Sequence, residues 1–177
     1  MNPLKIFCIT VDPNHLTLIN KINYLPVGLG NHLFTKEWIT DNSNENISNK
    51  NKFYGEYTFH YWLWKNNLNK LPDGWIGFCQ YRKFWCVEDI DVNNITFEKF
   101  QKSILKEIPP AYDKFDSIIG SPTYVNKFKL SKFVKHNLKT MLRNPNLFLD
   151  KNKRNIKFHF DMMHGKNNLD KAIELLD

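Results

Sequence analysis

The 177-residue chain has little cysteine, glycine or arginine, and each shortage excludes something. Cys8, Cys79 and Cys86 show no C-x-x-C spacing, and Cys8 and Cys79 lie in apolar, strand-like runs. That pattern argues against a disulfide framework and for reduced, buried thiols in a reducing compartment. Seven glycines include Gly28 and Gly30 in "INYLPVGLGNH", but not with the spacing or helix start of a dinucleotide fingerprint, so the segment reads as turn-rich. No apolar run approaches the ~18 residues of a membrane span, and "MNPLKIFCITVDP" lacks the apolar core of a signal peptide. The expectation is a cytoplasmic chain without a transmembrane anchor. With no internal repeat and no Ser/Gly/Pro-rich linker, residues 1–177 read as a single domain.

Lysine, asparagine and aromatic residues are plentiful. There are 22 lysines to three arginines, 23 asparagines, and 15% aromatic residues including five Trp. The net charge of +7 is regional: residues 127–157 carry ten Lys/Arg and one acid, Asp150, hence +9, and the rest of the chain −2. An AT-rich coding sequence produces such a bias without any anionic partner, because net charge speaks to solubility and nonspecific attraction before function. A nucleic-acid reader would interleave its basic residues with stacking rings. Here Phe128, Phe133, Phe148 and Phe158 follow core spacing. No nucleic-acid partner is expected; peripheral contact with an anionic membrane surface is the more plausible use of the lysines.

Along the chain, "KIFCITV" (5–11) predicts a buried strand closed by Asp12-Pro13. The polar stretch "DNSNENISNKN" (41–51) predicts a surface or ligand loop. "FYGEYTFHYWLWKNN" (53–67) predicts a helix whose stripe Tyr57, Tyr61, Trp64 reads as core, with Glu56 and His60 sharing a face. "IGFCQYRKF" (76–84) predicts a strand, residues 96–107 a helix, and "FDSIIGSP" (115–122) a further buried strand. Residues 127–143 predict an amphipathic helix, and "NNLDKAIELLD" a terminal helix capped by Asn168. Strands alternating with helices give an α/β layer fold.

Three segments in series, "DNSNENIS" (41–48), "NKFYGEYTFHYWLWKN" (51–66) and "IGFCQYRKFW" (76–85), resemble a bacterial polysaccharide-biosynthesis family. That family was long catalogued as a domain of unknown function, is regarded as glycosyltransferase-like, and is at home in capsule and lipopolysaccharide loci. The resemblance is clearest over residues 25–85. It departs from the family pattern at Gln80, where the family has His, and at Lys83, where it has a second Arg. It implies a GT-A-like, nucleotide-sugar-binding mixed sheet flanked by helices. It also implies transfer of a sugar from a nucleotide-diphosphate donor to a growing surface polysaccharide or lipid-linked acceptor. Family members run well beyond 177 residues, so an abbreviated domain is implied.

A diphosphate leaving group needs cations, hydrogen-bond donors or a metal. In open α/β sheets ligands sit beyond the carboxyl ends of strands, where Gln80, Tyr81, Arg82 and Lys83 emerge. Arg82, one of three arginines, is the expected phosphate clamp, since its planar fork binds such groups bidentately. The bland alternative pairs it with a helix acid such as Glu56. Strand alternation would put Gln80 and Arg82 on one face and Tyr81 and Lys83 on the other.

Asp41, Asn42 and Asn46 match the family pattern and have groups suited to sugar or ribose hydroxyls, though the same residues are ordinary turn chemistry. Asp41, Glu56 and Asp161 all qualify by type as a general base. Asp89 and Asp91 form a D-x-D that suits Mn²⁺ or Mg²⁺, while His164 in "HFDMMHG" is either a ligand following a strand or a loop histidine. The competing readings are a catalytically incomplete transferase-like scaffold and an anionic-surface-binding module.

Overall fold

A computed structural model describes residues 3–30, 32–88, 90, 91, 93–112, 114–121, 138, 142, 150, 152, 155–164 and 167–175. These fall into two compact units, Met1–Asp116 and Ser117–Asp177.

The first unit is an α/β layer built on a four-stranded sheet in the order β3-β2-β1-β4. The strands are β1 (Leu4–Thr10), β2 (Leu25–Gly28), β3 (Ile39–Thr40) and β4 (Trp75–Gln80), and every neighbouring pair runs parallel. The mixed sheet expected from sequence is therefore parallel throughout the described residues, with antiparallel contacts confined to the isolated bridges Gln80–Lys83 and Cys86–Ile104. Parallel strands need crossovers, and the helices that supply them cover both faces. This is why β1 reads as a continuous apolar run. Ile6 and Cys8 enter a core with Ile19, Ile22, Tyr24, Trp38, Cys79, Ile104 and Leu105. Phe7 and Ile9 enter the opposite core with Val27, Leu29, Phe59, Trp62 and Leu63.

On the first face lies α1 (Leu16–Lys21), with Ile19 wholly buried, together with the end of α4 (Phe97–Ser103). Thr96 caps α4, its hydroxyl accepting from the Lys99 amide at 3.3 Å. Tyr24 ties this layer together, its buried hydroxyl lying 3.0 Å from the Leu105 carbonyl and 3.2 Å from that of Trp85. Gly28 permits a close approach here, because a Cβ would fall 2.4 Å from the Phe34 ring.

The opposite face is covered by α3 (Tyr57–Asn66), which buries Thr58, Phe59, Trp62 and Leu63. The expected single helix over 53–67 is in fact two, α2 (Asn51–Tyr54) and α3, broken at Gly55. Gly55 sits at φ +54°, ψ −129°, a conformation that strains any residue with a Cβ. The aromatic stripe expected in the core lies outside it: Tyr57 and Trp64 are exposed, because the face one residue further round carries Phe59, Trp62 and Leu63.

β4 ends at Gln80 rather than running on to Phe84, since Tyr81 and Arg82 form a turn in which the Lys83 amide returns to the Gln80 carbonyl at 2.9 Å. The expected alternation of Gln80 and Arg82 on one strand face therefore does not hold. The described part of "FDSIIGSP", residues 115–121, forms no strand, and Ile119 is exposed.

In the second unit, residues 156–164 form the helix Ile156–His164 and are followed by the helix Asn168–Glu174. Lys157 Nζ joins them, 3.1 Å from Asp161 Oδ2 and 2.5 Å from Asp170 Oδ2. Asn167, not Asn168, occupies the cap position, at φ 65° and without a side-chain cap bond. The amphipathic helix expected over 127–143 lies outside the described residues except for Leu138 and Leu142.

Phe59 is fully buried between Phe7, Trp62 and Phe78. Phe59→Ala should lower the unfolding free energy by about 3–5 kcal/mol, whereas Phe53→Ala, at an exposed ring, should stay within about 0.5 kcal/mol of wild type. Urea denaturation at neutral pH reads both.

Candidate functional site

With strand order β3-β2-β1-β4, the chain leaves β1 in one direction to form β2 and later crosses to its other side to form β4. The carboxyl ends of β1 and β4 are thus a topological switch point, where an open α/β sheet leaves a crevice.

β1 ends at Thr10, beside Gln80 and Tyr81; the Tyr81 amide donates to the Ile9 carbonyl at 3.4 Å. The chain then turns at Asp12-Pro13. Asp12 Oδ1 accepts from the Asn14 amide at 2.9 Å, and the Asp12 amide donates to Thr10 Oγ1 at 3.0 Å. This tight turn folds His15 back over the sheet end. Its Nδ1 lies 2.8 Å from Thr10 Oγ1, and its ring stacks on Tyr81 with centroids 4.1 Å apart and planes 15° from parallel. Because Thr10 Oγ1 already accepts from Asp12, its own proton is available to His15 Nδ1. We assign the imidazole proton to Nε2, which faces Asp12 Oδ2 at 3.9 Å. The Arg82 guanidinium lies 5.2 Å from the Tyr81 ring centroid.

Beside this stack, Gln80 Nε2 donates to Glu56 Oε2 at 2.6 Å. Glu56 precedes α3, so the amino end of that helix, the positive end of its dipole, borders the same crevice. One turn on, His60 packs on Phe78 at 4.3 Å, and its buried Nε2 has no hydrogen-bond partner among the described residues. Burial holds its pKa below the usual value, with Glu56 opposing.

At the end of β3, Asp41 is buried and its Oδ2 has no hydrogen-bond partner among the described residues. Burial raises its pKa, against the smaller effect of the Thr58 hydroxyl. Asn51 closes this corner, its Nδ2 donating to the Gly55 carbonyl at 2.9 Å and to Thr58 Oγ1 at 3.2 Å. A Cβ on Gly30 would stand 3.8 Å from Asn51 Oδ1 and 3.9 Å from Val11, so the ends of β1 and β2 meet α2 here.

The structure therefore gathers Glu56, Gln80, Tyr81 and Arg82 at the switch point and sets Asp41 at the end of β3. It uses Asn42 and Asn46 differently: Asn42 Oδ1 accepts from the Thr40 hydroxyl at 2.9 Å, and Asn46 Oδ1 from the Ser48 amide and hydroxyl at 3.2 and 2.8 Å. The 41–48 loop is stapled to α3, with Trp62 Nε1 donating to the Ser43 carbonyl at 2.9 Å and Asn66 Nδ2 to that of Glu45 at 2.8 Å.

Glu56 bonds Gln80 rather than Arg82, and Arg82 has no carboxylate partner among the described residues. Asp91 is exposed, and its two oxygens accept from Asn93 and Asn94 in a turn. That geometry fits a loop cap better than an ion site. Asp89 lies outside the described residues, and among those described no group of three His, Cys, Asp or Glu is arranged to hold a metal. His164 ends a helix rather than following a strand, and it belongs, like Asp161, to the second unit.

Thr10, Asp12 and His15 were missed from sequence, because only the pairing of β1 with β4 brings them to Tyr81. Their one local signal is T-x-D-P-x-H, a turn that returns a histidine to a strand end. A cleft of about 190 Å³ lined by Leu4, Ile6, Asn23, Tyr24, Leu105 and Lys106 lies towards the other end of β1, away from these groups. Among the described residues no helix is long and apolar enough to cross a membrane.

A family model described as "Domain of unknown function (DUF4422)" matches residues 5–177. No curated protein and no solved structure matches the chain.

The two perturbed groups have opposite pH signatures. Folded Asp41 titrates above its ordinary value of 3.8, so its contribution to stability is greatest below that value and falls as pH rises through the interval up to its folded pKa. Folded His60 titrates below its ordinary 6.5, so its contribution is lost as pH falls below 6.5 towards the folded pKa. Asp41→Asn removes only the first slope. Relative to wild type it should gain stability progressively as pH rises from the ordinary carboxylate range towards neutrality, read from urea midpoints. A constant offset at every pH would refute the assignment.

Proposed function

The chain belongs to the family described as domain of unknown function DUF4422, and from the crevice at the ends of β1 and β4 we propose that it is a nucleotide-sugar-dependent glycosyltransferase of GT-A type. The observation that carries the reading is Arg82, a guanidinium at a topological switch point with no carboxylate to neutralise it among the described residues. Arg82 is exposed, so it needs no internal partner, and its planar fork at the strand ends is open to an anion supplied from outside.

In this reading Arg82 and the amino end of α3 hold the donor diphosphate, one by bidentate hydrogen bonds and the other by its dipole. The stacked pair His15–Tyr81 offers a flat wall to the nucleoside or the sugar ring. Gln80, fixed by Glu56, presents its side-chain carbonyl to a sugar hydroxyl. An acceptor hydroxyl oxygen attacks the anomeric carbon, the bond from that carbon to the diphosphate oxygen breaks, and its electron pair leaves on the diphosphate. Glu56 is the carboxylate on this rim and takes the acceptor proton. Asp41, buried and held towards its neutral form, supports the crevice from behind by orienting Thr58 and the α3 entry. No step needs Asp91. The acceptor is a saccharide or a lipid-linked saccharide.

Thermal-shift and calorimetric titration with UDP-, GDP-, CMP- and dTDP-sugars should show one nucleotide class binding saturably. Ligand at 100 times its Kd raises stability by about 2.7 kcal/mol. Arg82→Ala should weaken that binding by about ten-fold or more, the share of one charge-assisted contact, with an unchanged melting point in the absence of ligand. If no nucleotide sugar binds the wild-type chain, the transferase reading falls and a transferase-like scaffold takes its place.

A further inference from the structure

Tyr57 and Trp64, which the helical period placed in the core, are instead exposed, as are Phe53 and Tyr54 of α2. Phe53 is 80% exposed, Tyr57 64% and Trp64 58%, with Tyr54 beside them at 52%. Single exposed apolar residues are ordinary, but four large rings within twelve residues of two consecutive helices make a patch that calls for a partner.

Two features narrow what that partner is. The charge at the α2 end of the patch is one-sided: Lys50 and Lys52 flank Phe53 and Tyr54 with no carboxylate partner among the described residues, whereas Lys65 is paired with Glu45 at 3.3 Å. The lysines also stand over the rings. Lys65 Nζ lies 4.3 Å from the Trp64 centroid and 5.8 Å from that of Tyr61, and Lys52 Nζ lies 5.9 Å from that of Phe53. A saccharide-stacking platform needs bare ring faces, and here the faces of Phe53 and Trp64 carry an ammonium. A protein groove would bury the rings and leave the cations unpaired. At a bilayer surface both needs are met together, because aromatic rings settle at the headgroup level while lysine stems lie along them and reach the phosphates.

We infer that the face formed by Phe53, Tyr54, Tyr57 and Trp64, with Lys50, Lys52 and Lys65, docks on an anionic lipid surface. It lies on the outer side of the helix pair whose junction, Gly55–Glu56, borders the crevice. Docking therefore sets the mouth of the candidate site close to the membrane plane. The inference stands on exposure, charge and ring geometry and does not depend on the transferase reading.

The test is flotation of the full chain with phosphatidylcholine vesicles, with and without phosphatidylglycerol, in the absence of any nucleotide. Wild type should float only with the anionic vesicles, and less as salt rises. Phe53→Ser/Tyr57→Ser/Trp64→Ser and Lys50→Gln/Lys52→Gln should each reduce partition by about ten-fold or more, with unchanged melting points because the altered side chains are exposed. Failure of wild type to float overturns the inference. So does flotation undiminished in the aromatic variant, which would assign binding to the lysines of residues 127–157. Binding of soluble oligosaccharide that is lost in the aromatic variant, without flotation, would assign the face to glycan instead. A chain that floats but binds no nucleotide sugar would leave this inference intact and remove only the transferase reading.

Discussion

Everything in the first unit depends on covering β1 from both sides. A parallel strand in the middle of a sheet has no face it can leave to water, and β1 alternates Ile6 and Cys8 into one core and Phe7 and Ile9 into the other. The chain must therefore cross over the sheet between every two strands, through α1 from β1 to β2, through residues 29–38 from β2 to β3 and through α2 and α3 from β3 to β4, and each crossover starts from the carboxyl ends of the strands. Thr10, Gly28, Thr40 and Gln80 consequently finish at the same edge. The concentration of polar groups there follows from this geometry: it is where the backbone leaves the sheet and where α3 presents its amino end.

The same edge distributes its charges unequally. Glu56 is held by a 2.6 Å bond from Gln80. Among the described residues Arg82 has no carboxylate partner and lies over the face of Tyr81, an interaction worth about 0.5–1 kcal/mol at an exposed site. A hydrogen bond to a charged group is worth about 1.5–3 kcal/mol, so a bidentate anion outcompetes the ring for the guanidinium at little structural cost. Asp41 and His60 have the opposite problem. Each keeps a buried atom without a hydrogen-bond partner among the described residues, and burial drives each towards its neutral form. The crevice thus combines a loosely tethered cation at its rim with two groups behind it whose charges the fold suppresses.

Much of this frame was legible in the residues. "KIFCITV" read as a buried strand and is β1, while the polar 41–51 stretch read as a loop and is one as far as Ile47, beyond which Ser48–Lys50 is a 3-10 turn and α2 begins at Asn51. What was not legible is what depends on register. The helical period holds over Tyr57–Asn66, past the break at Gly55, but it supports two apolar faces, Tyr57/Tyr61/Trp64 and Phe59/Trp62/Leu63, and nothing within the helix says which meets the sheet. The reading of Gln80 and Arg82 as strand-mates assumed that β4 continues, whereas the Lys83 amide turns back to Gln80. Arg82 and Glu56 were both singled out, but their partners were not: the acid chose the amide and the cation chose the ring. His15 was invisible because its meaning rests on a contact across 66 residues.

The choice of face on α3 follows from shape. Phe59 packs tilted against Phe7 and edge-on against Phe78, with centroids 5.3 and 6.3 Å apart, and Trp62 satisfies its indole N–H on the Ser43 carbonyl while its ring is buried. Tyr57 and Trp64 in the same place would each need a partner for a polar atom deep against the sheet, where β1 and β4 spend their backbone groups on each other. Turning α3 to bury Phe59 and Trp62 avoids that cost and leaves the Tyr57–Trp64 face outside. Glu45 then binds the Tyr61 hydroxyl at 2.7 Å and Lys65 at 3.3 Å, fixing the loop that begins at Asp41 to the same helix. One helix orientation, set by where one indole and a phenyl ring can be buried, thereby places Glu56 against Gln80, Thr58 against Asp41, and an aromatic surface facing outward.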